Sequence, residues 1–146
     1  GIPGVVGIHI EGPFLNPMKH GIHDAAKIRP LDDRAIALLS SLDRGKTLVT
    51  LAPECSPPGA IAELTARGVI VAAGHSLATY DDMVRAVAEG LTGVTHLYNA
   101  MTQLGSREPG LVGAAMDLGL RSGLIVDGHH VHPAALRTAL KLLGPE

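Results

Sequence analysis

Four groups of residues able to do metal or acid–base chemistry each come directly after a run of apolar residues. They are Glu11 after VVGIHI, His75 after VIVAAG, His96 after GVT, and Asp127, His129 and His130 after LIV. A carboxylate and two imidazoles have the composition of a catalytic zinc site, in which three protein ligands leave a position for water. Glu11, His75 and His96 would supply these ligands, and the metal would activate the water and polarise a carbonyl. The alternative is that all of them are ordinary hydrogen-bonded residues at strand ends.

Alternating strands and helices would bring these groups to one place. The pattern predicts strands over 5–11, 47–53, 69–73, 93–97 and 123–127, and helices over 31–42, about 57–68, about 79–90, shortly after 110 and from 133 onward. Such alternation predicts a parallel sheet, whose strands end at a common edge. About five βα units are too few for a closed (β/α)8 barrel of about 250 residues. They form either part of a barrel or a doubly wound sheet, and no nucleotide-binding glycine turn supports the latter.

Composition agrees with an α/β fold and excludes several classes of function. Apolar residues make up 46% of the chain and aromatic residues 2%, so Val, Ile, Leu and Ala must fill the interior, as in parallel sheets. The net charge of −2 without a basic block predicts no nucleic-acid or membrane-surface partner. No apolar run reaches membrane-spanning length, and no secretory signal is recognisable. Cys55 is the only cysteine, which excludes an internal disulfide and favours a reducing, cytoplasmic location.

Local signals set the expected helix ends and faces. The helix over 31–42 would bury one face, comprising Ala35, Leu38, Leu39 and Leu42. Ser56 followed by Pro57 predicts an N-cap with a first-turn proline, and Thr79 with Asp82 predicts a capping box. The segment 12–30 predicts a loop long enough to carry function.

Four segments, in this order, resemble the signature stretches of the N-acetylglucosamine-6-phosphate deacetylases of the amidohydrolase superfamily. They are HIEGPFLNPMKHGIH (9–23), AAGHSLATYDDM (72–83), THLYNAMTQLGSREPGLVGAAM (95–116) and DGHHVHP (127–133). The intervals of 64 residues from Glu11 to His75 and 21 from His75 to His96 also agree with the family. The resemblance implies that residues 1–146 are the central part of one (β/α)8 barrel domain, with its N- and C-terminal parts missing.

The resemblance also implies a role for each matching residue. Glu11, His75 and His96 match the metal ligands, and Ile22 and His23 match a loop pair that touches the substrate. The substrate-binding set is completed by Asn99 and Ala100 at the phosphate side, Arg107 at the phosphate itself, and the motif Asp127, Gly128, His129 and His130. His130 would contact the amide region and stabilise the oxyanion. Since the family's arginine is thought to reach a neighbouring subunit's site, a homodimer is expected.

The implied reaction is hydrolysis of the N-acetyl group of N-acetylglucosamine 6-phosphate by a metal-activated water, giving acetate and glucosamine 6-phosphate. Zinc is the expected divalent metal, with iron, cobalt or manganese also compatible with the ligands. The family's acid/base aspartate lies in a stretch resembling LVTDA, which this sequence lacks, so we expect these residues alone to be inactive. Two alternatives stay open: a non-catalytic phosphosugar-binding fragment, and another amidohydrolase acting on a cyclic amide. Glu11 argues against the second, because those enzymes usually carry a bridging lysine.

For three further residues the sequence leaves the role open or indicates a local one. His9 shares a strand face with Glu11, so it either supports the metal site or is a satisfied core histidine. Glu54 also follows a strand, but the sequence indicates no specific role for it. Glu108, in the segment REPG, is expected to fix its own loop.

Overall fold

A single sheet of five parallel strands, with helices between successive strands, forms the framework of the protein. The computed structural model describes residues 2–144. The elements in chain order are β1 (Gly7–Glu11), α1 (Asp33–Leu39), β2 (Lys46–Leu51), α2 (Ala60–Ala66), β3 (Ile70–Ala73), α3 (Tyr80–Ala88), β4 (Gly93–Val94), α4 (Gly110–Asp117), β5 (Arg121–Ser122) and α5 (Pro133–Leu143). The spatial order of the strands is the chain order, so β1 and β5 are the two edges of this sheet. The predicted five βα units and parallel sheet are confirmed.

Alternation along the strands separates a helix-covered face from a second face. Val49, Leu51, Val71 and Ala73 are completely buried in β2 and β3 and belong to one core cluster with apolar residues of α1, α2, α3 and α4. The alternate residues, among them Leu48 and Ile70, line a groove of about 500 Å³ together with His9 and Thr95. Side chains point to opposite faces at successive strand positions, so the polar site residues share the face away from the helices. Within residues 2–144, every helix is too short or too polar to cross a membrane.

The last two strands are shorter than predicted, and the backbone around His96 explains why. We expected strands over 93–97 and 123–127, whereas β4 and β5 each span two residues. His96 has a φ of 39°, which ends the extended conformation of β4. Gly123 still donates its N–H to Val94 and accepts from Leu97, but the residues after it have no strand alongside to pair with. The predicted strand 123–127 is therefore wrong, and β5 lies directly before the predicted range, at Arg121–Ser122.

Two details of the helix predictions are also wrong. In α1 the buried residues are Ala35, Ile36 and Leu39, while Leu38 is 66% exposed and Leu42 is 44% exposed. The predicted buried face was wrong because it was chosen from the spacing of the leucines, whereas the helix buries Ile36 and leaves Leu38 exposed. Ser56 does not cap α2: its hydroxyl donates to the carbonyl of Ala52.

The helix α2 instead begins after Gly59 and receives its N-terminal cap from a distant residue. Gly59 has a left-handed φ of 82°, and the Glu89 carboxylate accepts hydrogen bonds from the backbone N–H groups of Gly59 and Ala62. A negative charge at this position is favourable, because the first N–H groups of a helix lack partners within it. Because Glu89 is 30 residues from Gly59 in the sequence, the residues around the helix start do not indicate this cap.

The predicted capping box at the start of α3 is confirmed, and it supports a stability prediction. Thr79 Oγ1 accepts from the Asp82 backbone N–H, and the Asp82 carboxylate accepts from the Thr79 backbone N–H at 2.8 Å. We expect Thr79→Ala to lower the free energy of unfolding by about 1 kcal/mol, because it leaves an N–H group of the first turn unpaired. Urea unfolding at neutral pH measures this difference. Thr138→Ala on the exposed side of α5 is the control and should not destabilise.

The same box should respond to acid. Partial burial raises the pKa of Asp82, but hydrogen bonds from Thr79 and Arg85 lower it by more, so the pKa lies below its ordinary value of 3.8. A carboxyl with a depressed folded-state pKa stabilises the fold fully above about pH 4 and loses this contribution as the pH falls further. The difference between wild type and Thr79→Ala should therefore shrink in acid, and a constant difference from pH 7 to 3 would contradict this account.

Candidate metal centre

The side chains of Glu11, His75 and His96 converge at the carboxyl edge of the sheet. Glu11 is the last residue of β1, and each histidine follows its strand by two residues, after β3 and β4. The Glu11 Oε1 atom lies 2.8 Å from His75 Nε2 and 3.1 Å from His96 Nε2, and the two Nε2 atoms are 3.0 Å apart. His75 is buried and the other two are partly buried. These three residues, which the spacing singled out as ligands, thus form one cluster.

Both histidines adopt a backbone conformation that residues with a side chain rarely take. The φ angles are 48° for His75 and 39° for His96. Left-handed backbone at a non-glycine residue costs roughly 1–3 kcal/mol and persists only where the surroundings enforce it. Here the Asn16 N–H donates to the His75 carbonyl at 2.9 Å, and the Ser76 N–H donates to the Ala100 carbonyl at 3.1 Å. The loops after β1, β3 and β4 therefore hold each other, and both candidate histidine ligands carry backbone strain.

The proton positions in the cluster favour a bound cation. His75 Nδ1 lies 2.7 Å from the Lys19 carbonyl, which can only accept, so Nδ1 carries a proton and, in the neutral ring, the Nε2 lone pair faces the cluster. Holding the second ring nitrogen on a carbonyl is how proteins orient metal-ligating histidines. Nε2 then meets the Glu11 carboxylate, another acceptor, across 2.8 Å. Two acceptors so close together need a proton or a cation between them.

The cluster size also suits a single metal ion. Zinc bonds to nitrogen and oxygen are about 2.0–2.2 Å, so tetrahedral ligand atoms lie roughly 3.3 Å apart. The observed separations of 2.8–3.1 Å need to grow by only a few tenths of an ångström. Partial burial raises the pKa of Glu11, but hydrogen bonds from His75 and His96 and their charges lower it by more, so its pKa lies below the ordinary value. An ionised carboxylate is the form that a metal requires.

The loop after β1 brings a third histidine beside the cluster. His23 Nε2 lies 3.7 Å from Glu11 Oε1, and its ring packs edge-on against that of His75 with centroids 4.7 Å apart. Gly21 allows this approach, because a Cβ there would lie 3.1 Å from His75 Cε1 and its φ is 58°. Ile22, the other predicted substrate contact of this pair, is 97% exposed. His23 thus lies at the cluster, while Ile22 faces solvent.

The remaining predicted substrate residues lie on two other loops. Asn99 and Ala100 lie three and four residues after His96; the Asn99 N–H donates to the His96 carbonyl at 2.9 Å, and Ala100 has a left-handed φ of 50°. Arg107 is exposed on the loop that precedes α4. Glu108 fixes this loop, as expected, by accepting from the N–H groups of Tyr80 and Gly110.

Residues 127–130 form a separate hydrogen-bonded unit before α5. The Asp127 carboxylate accepts from the backbone N–H groups of His130 and His129, both at 2.9 Å, and from His130 Nδ1 at 2.6 Å. These bonds hold the pKa of Asp127 well below its usual range. Gly128 provides the left-handed turn with a φ of 78°. All four residues are exposed, and the described hydrogen bonds of His130 go to Asp127, not to the three-residue cluster.

Sequence reasoning missed a polar chain that runs beneath the cluster. His9 Nε2 lies 2.8 Å from Thr50 Oγ1, which lies 2.6 Å from Thr95 Oγ1. Thr50 is the register partner of Glu11, and Thr95 precedes His96, so this chain ties together the strands that carry two of the ligands. His9 is thus a satisfied histidine that also supports the site. The strand alternation placed His9 correctly, but nothing in the sequence identified the threonines.

Comparisons with known proteins identify relatives of the chain. No protein-family model matches the chain. The N-acetylgalactosamine-6-phosphate deacetylase of Shewanella sp. (strain ANA-3) is 44% identical over 146 residues, covering 99% of this chain and 37% of the relative. The human N-acetylglucosamine-6-phosphate deacetylase is 42% identical over 147 residues, covering 93% of this chain and 36% of the relative.

Solved structures extend the similarity to the fold. The crystal structure of N-acetylglucosamine-6-phosphate deacetylase from Pasteurella multocida matches with a TM-score of 0.92 and 36% identity, over 99% of this chain and 38% of that one. A mutant Mycobacterium smegmatis enzyme, in complex with N-acetyl-D-glucosamine 6-phosphate, matches with a TM-score of 0.87 and 38% identity, over 96% of this chain and 38% of that one. The open parallel sheet is thus the predicted partial (β/α)8 barrel. The chain is homologous along nearly its whole length to N-acetylglucosamine-6-phosphate deacetylases and spans little more than a third of the length of the relatives it matches.

Proposed function

We propose that this chain carries the metal-holding part of a deacetylase that releases acetate from N-acetylglucosamine 6-phosphate. The observation that carries the proposal is the cluster of Glu11, His75 and His96, whose facing atoms lie within 3.1 Å of one another. It occurs in a chain that is about 40% identical to deacetylases from vertebrates and bacteria. Two imidazoles and a carboxylate suit a hydrolytic metal site, and their count leaves a coordination position for water.

The chain's own residues would hold the metal and the substrate. Glu11, His75 and His96 would bind a divalent ion, with zinc as the first choice and iron, cobalt or manganese as others. Such an ion supplies Lewis-acid polarisation of the amide carbonyl and lowers the pKa of water. Lys19, through its carbonyl, keeps the His75 proton on Nδ1 and so reserves Nε2 for the ion.

Substrate would be held from both ends. Because Asp127 accepts from His130 Nδ1, the Nε2 atom of His130 is left to contact the amide oxygen, with His129 and Gly128 shaping the turn. His23 and Ile22 would border the sugar on the opposite loop. Asn99, Ala100 and Arg107 would bind the phosphate, since a guanidinium fork matches phosphate oxygens. We also propose that Arg107 serves the site of a second copy in a homodimer, and that the protein acts in the cytoplasm.

A second substrate has specific support. The Shewanella relative, at 44% identity, is named for N-acetylgalactosamine 6-phosphate. The two sugars differ only in the configuration of one hydroxyl group, and the metal cluster acts on the acetamido group that they share. The proposed chemistry is therefore the same for both, and the hydroxyl contacts decide between them.

Acetate release from both phosphosugars, with zinc present, tests the proposal directly. We expect the 146 residues alone to bind glucosamine 6-phosphate without turnover, since the family's acid/base aspartate is not in this sequence. Restored turnover on joining the chain to the remaining barrel of the Pasteurella relative would support the deacetylase. Hydrolysis of cyclic amides, and not of either phosphosugar, would overturn it. Turnover by the 146 residues themselves would show that the acid/base group lies among them.

Arg107 allows a sharper test of the phosphate assignment. We expect Arg107→Ala to weaken binding of glucosamine 6-phosphate by roughly 10- to 100-fold, because a charge-assisted pair is worth about 1.5–3 kcal/mol. Binding of unphosphorylated glucosamine should stay the same. Isothermal titration measures both, and Arg67→Ala on α2 is the control, since Arg67 pairs with Glu63 on the surface. Equal losses for both sugars would remove Arg107 from the phosphate.

A further inference from the structure

Glu54 lies in the turn Pro53–Cys55 directly after β2, and its carboxylate gathers three hydrogen bonds. Its Oε1 atom accepts from Asn16 Nδ2 at 3.0 Å and from the Leu77 backbone N–H at 2.5 Å. Its Oε2 atom accepts from Ser76 Oγ at 2.7 Å. The side chain is half-buried. An ionised carboxylate only accepts, so it suits three converging donors.

The three donors belong to the two loops that carry the cluster. Asn16 lies five residues after Glu11 on the loop that follows β1, and its own N–H donates to the His75 carbonyl at 2.9 Å. Ser76 and Leu77 directly follow His75. Glu54 is therefore bonded to the chain on the C-terminal side of His75 and, through Asn16, to the residue that holds the His75 carbonyl. No contact with the cluster itself is described for Glu54.

The backbone conformation of His75 explains what the hydrogen bonds of Glu54 stabilise. With a φ of 48°, His75 is in a conformation that relaxes unless the neighbouring peptides are fixed. The bond from the Leu77 N–H and the bond from Ser76 Oγ fix the two peptides that follow. Ser76 Oγ in turn accepts from the Ala78 N–H at 2.9 Å, which extends the fixed segment by one residue.

We propose that Glu54 is a positioning residue for the metal ligand His75: by binding Asn16, Ser76 and Leu77 it keeps His75 in its left-handed conformation, with Nε2 directed at Glu11. The inference rests on the proposed metal site. Without the carboxylate, the segment 75–77 would relax and His75 Nε2 would move away from Glu11. The Lys19 carbonyl alone holds the ring by Nδ1, which restricts its tilt but not the position of the backbone.

Zinc affinity, measured by competition with a chromogenic chelator, tests this inference in the whole chain. We expect Glu54→Ala to weaken zinc binding by roughly 10- to 100-fold, the usual effect of losing a group that orients a metal ligand. Glu54→Gln should lose less, because its amide oxygen can still serve Leu77 and Asn16. The matched control is Glu63→Ala, an exposed carboxylate on α2 that pairs with Arg67, which should stay within about twofold of wild type. If Glu54→Ala does not fold, Glu54→Gln carries the test.

The outcomes separate the inference from the metal site on which it rests. Wild-type affinity in folded Glu54→Ala and Glu54→Gln overturns the role of Glu54 and leaves the metal site intact. If the wild-type chain binds no zinc, these residues alone do not hold the ion, and nuclear magnetic resonance of the metal-free chain decides about Glu54. Loss of the His75 Nδ1–H signal and of Leu77 amide protection in Glu54→Ala then supports the positioning role, and their persistence overturns it.

Discussion

Replacing either histidine of the cluster should abolish metal binding by the purified chain. We expect about one zinc per wild-type chain, and less than roughly a tenth of that in His75→Ala or His96→Ala, because three protein ligands are the usual minimum for tight zinc binding. His75 Nε2 and His96 Nε2 both lie within 3.1 Å of Glu11 Oε1, so either variant removes one of three close ligands, and His23 Nε2 is farther from this oxygen, at 3.7 Å. Plasma emission spectrometry after dialysis measures the metal content.

The matched control for this experiment is His20→Ala. His20 is exposed on the loop that follows β1, and its described side-chain bond goes to the His23 carbonyl. This variant should keep its zinc. Loss of metal in all three variants would indicate nonspecific binding to histidines, and retention in His75→Ala would contradict the proposed ligand set. A wild-type chain without zinc would mean that the rest of the barrel is needed to hold the ion.

The largest stability effect is expected in α1, where two adjacent leucines have opposite environments. Leu39 is 4% exposed and belongs to the core cluster, while Leu38 is 66% exposed. We expect Leu39→Ala to lower the free energy of unfolding by about 2–5 kcal/mol, because it removes buried methyl groups and leaves a cavity. Leu38→Ala should change it by no more than about 0.5 kcal/mol. Urea unfolding of both variants, followed by circular dichroism, gives the comparison.

Leu38→Ala is the matched control for Leu39→Ala, because both substitutions remove the same atoms from the same helix. Equal destabilisation by the two substitutions would show that Leu38 is covered in solution. A partner for it would then have to be sought beside Ile8 and Ile10, which share a groove with Leu38 at the β1 edge of the sheet. A small effect of Leu39→Ala would contradict the packing of α1 on the core.

The sequence predicted the convergence of Glu11, His75 and His96 better than it predicted the elements around them. Glu11, His75 and His96 were identifiable because each follows an apolar run, and parallel strands bring such positions to one edge. The left-handed backbone of both histidines was not identifiable, because non-glycine residues give no sign of a positive φ. Glu54 was noticed at a strand end but had no assignable role, since its donors come from residues 38 and 22 positions away. Contacts of this range depend on the finished fold.

The errors in the secondary structure have the same origin. The strand over 123–127 was predicted from an apolar run, but strand formation also needs a neighbour, and β4 ends before it can provide one. The helix face of α1 was misjudged because apolar residues outnumber the positions that can be buried, so Leu38 and Ile36 competed for the same role. The substrate roles of Ile22, Arg107 and His130 come from the resemblance and stay predictions.

The left-handed histidines have a consequence for how this protein tolerates change. Glycine adopts a positive φ without penalty, so replacing His75 or His96 by glycine would relieve backbone strain at the very positions that define the site. Selection for thermostability alone would thus favour variants that lack two of the three proposed metal ligands. Stability and the proposed metal binding oppose each other at these two residues, so a screen for more stable variants should keep both histidines fixed.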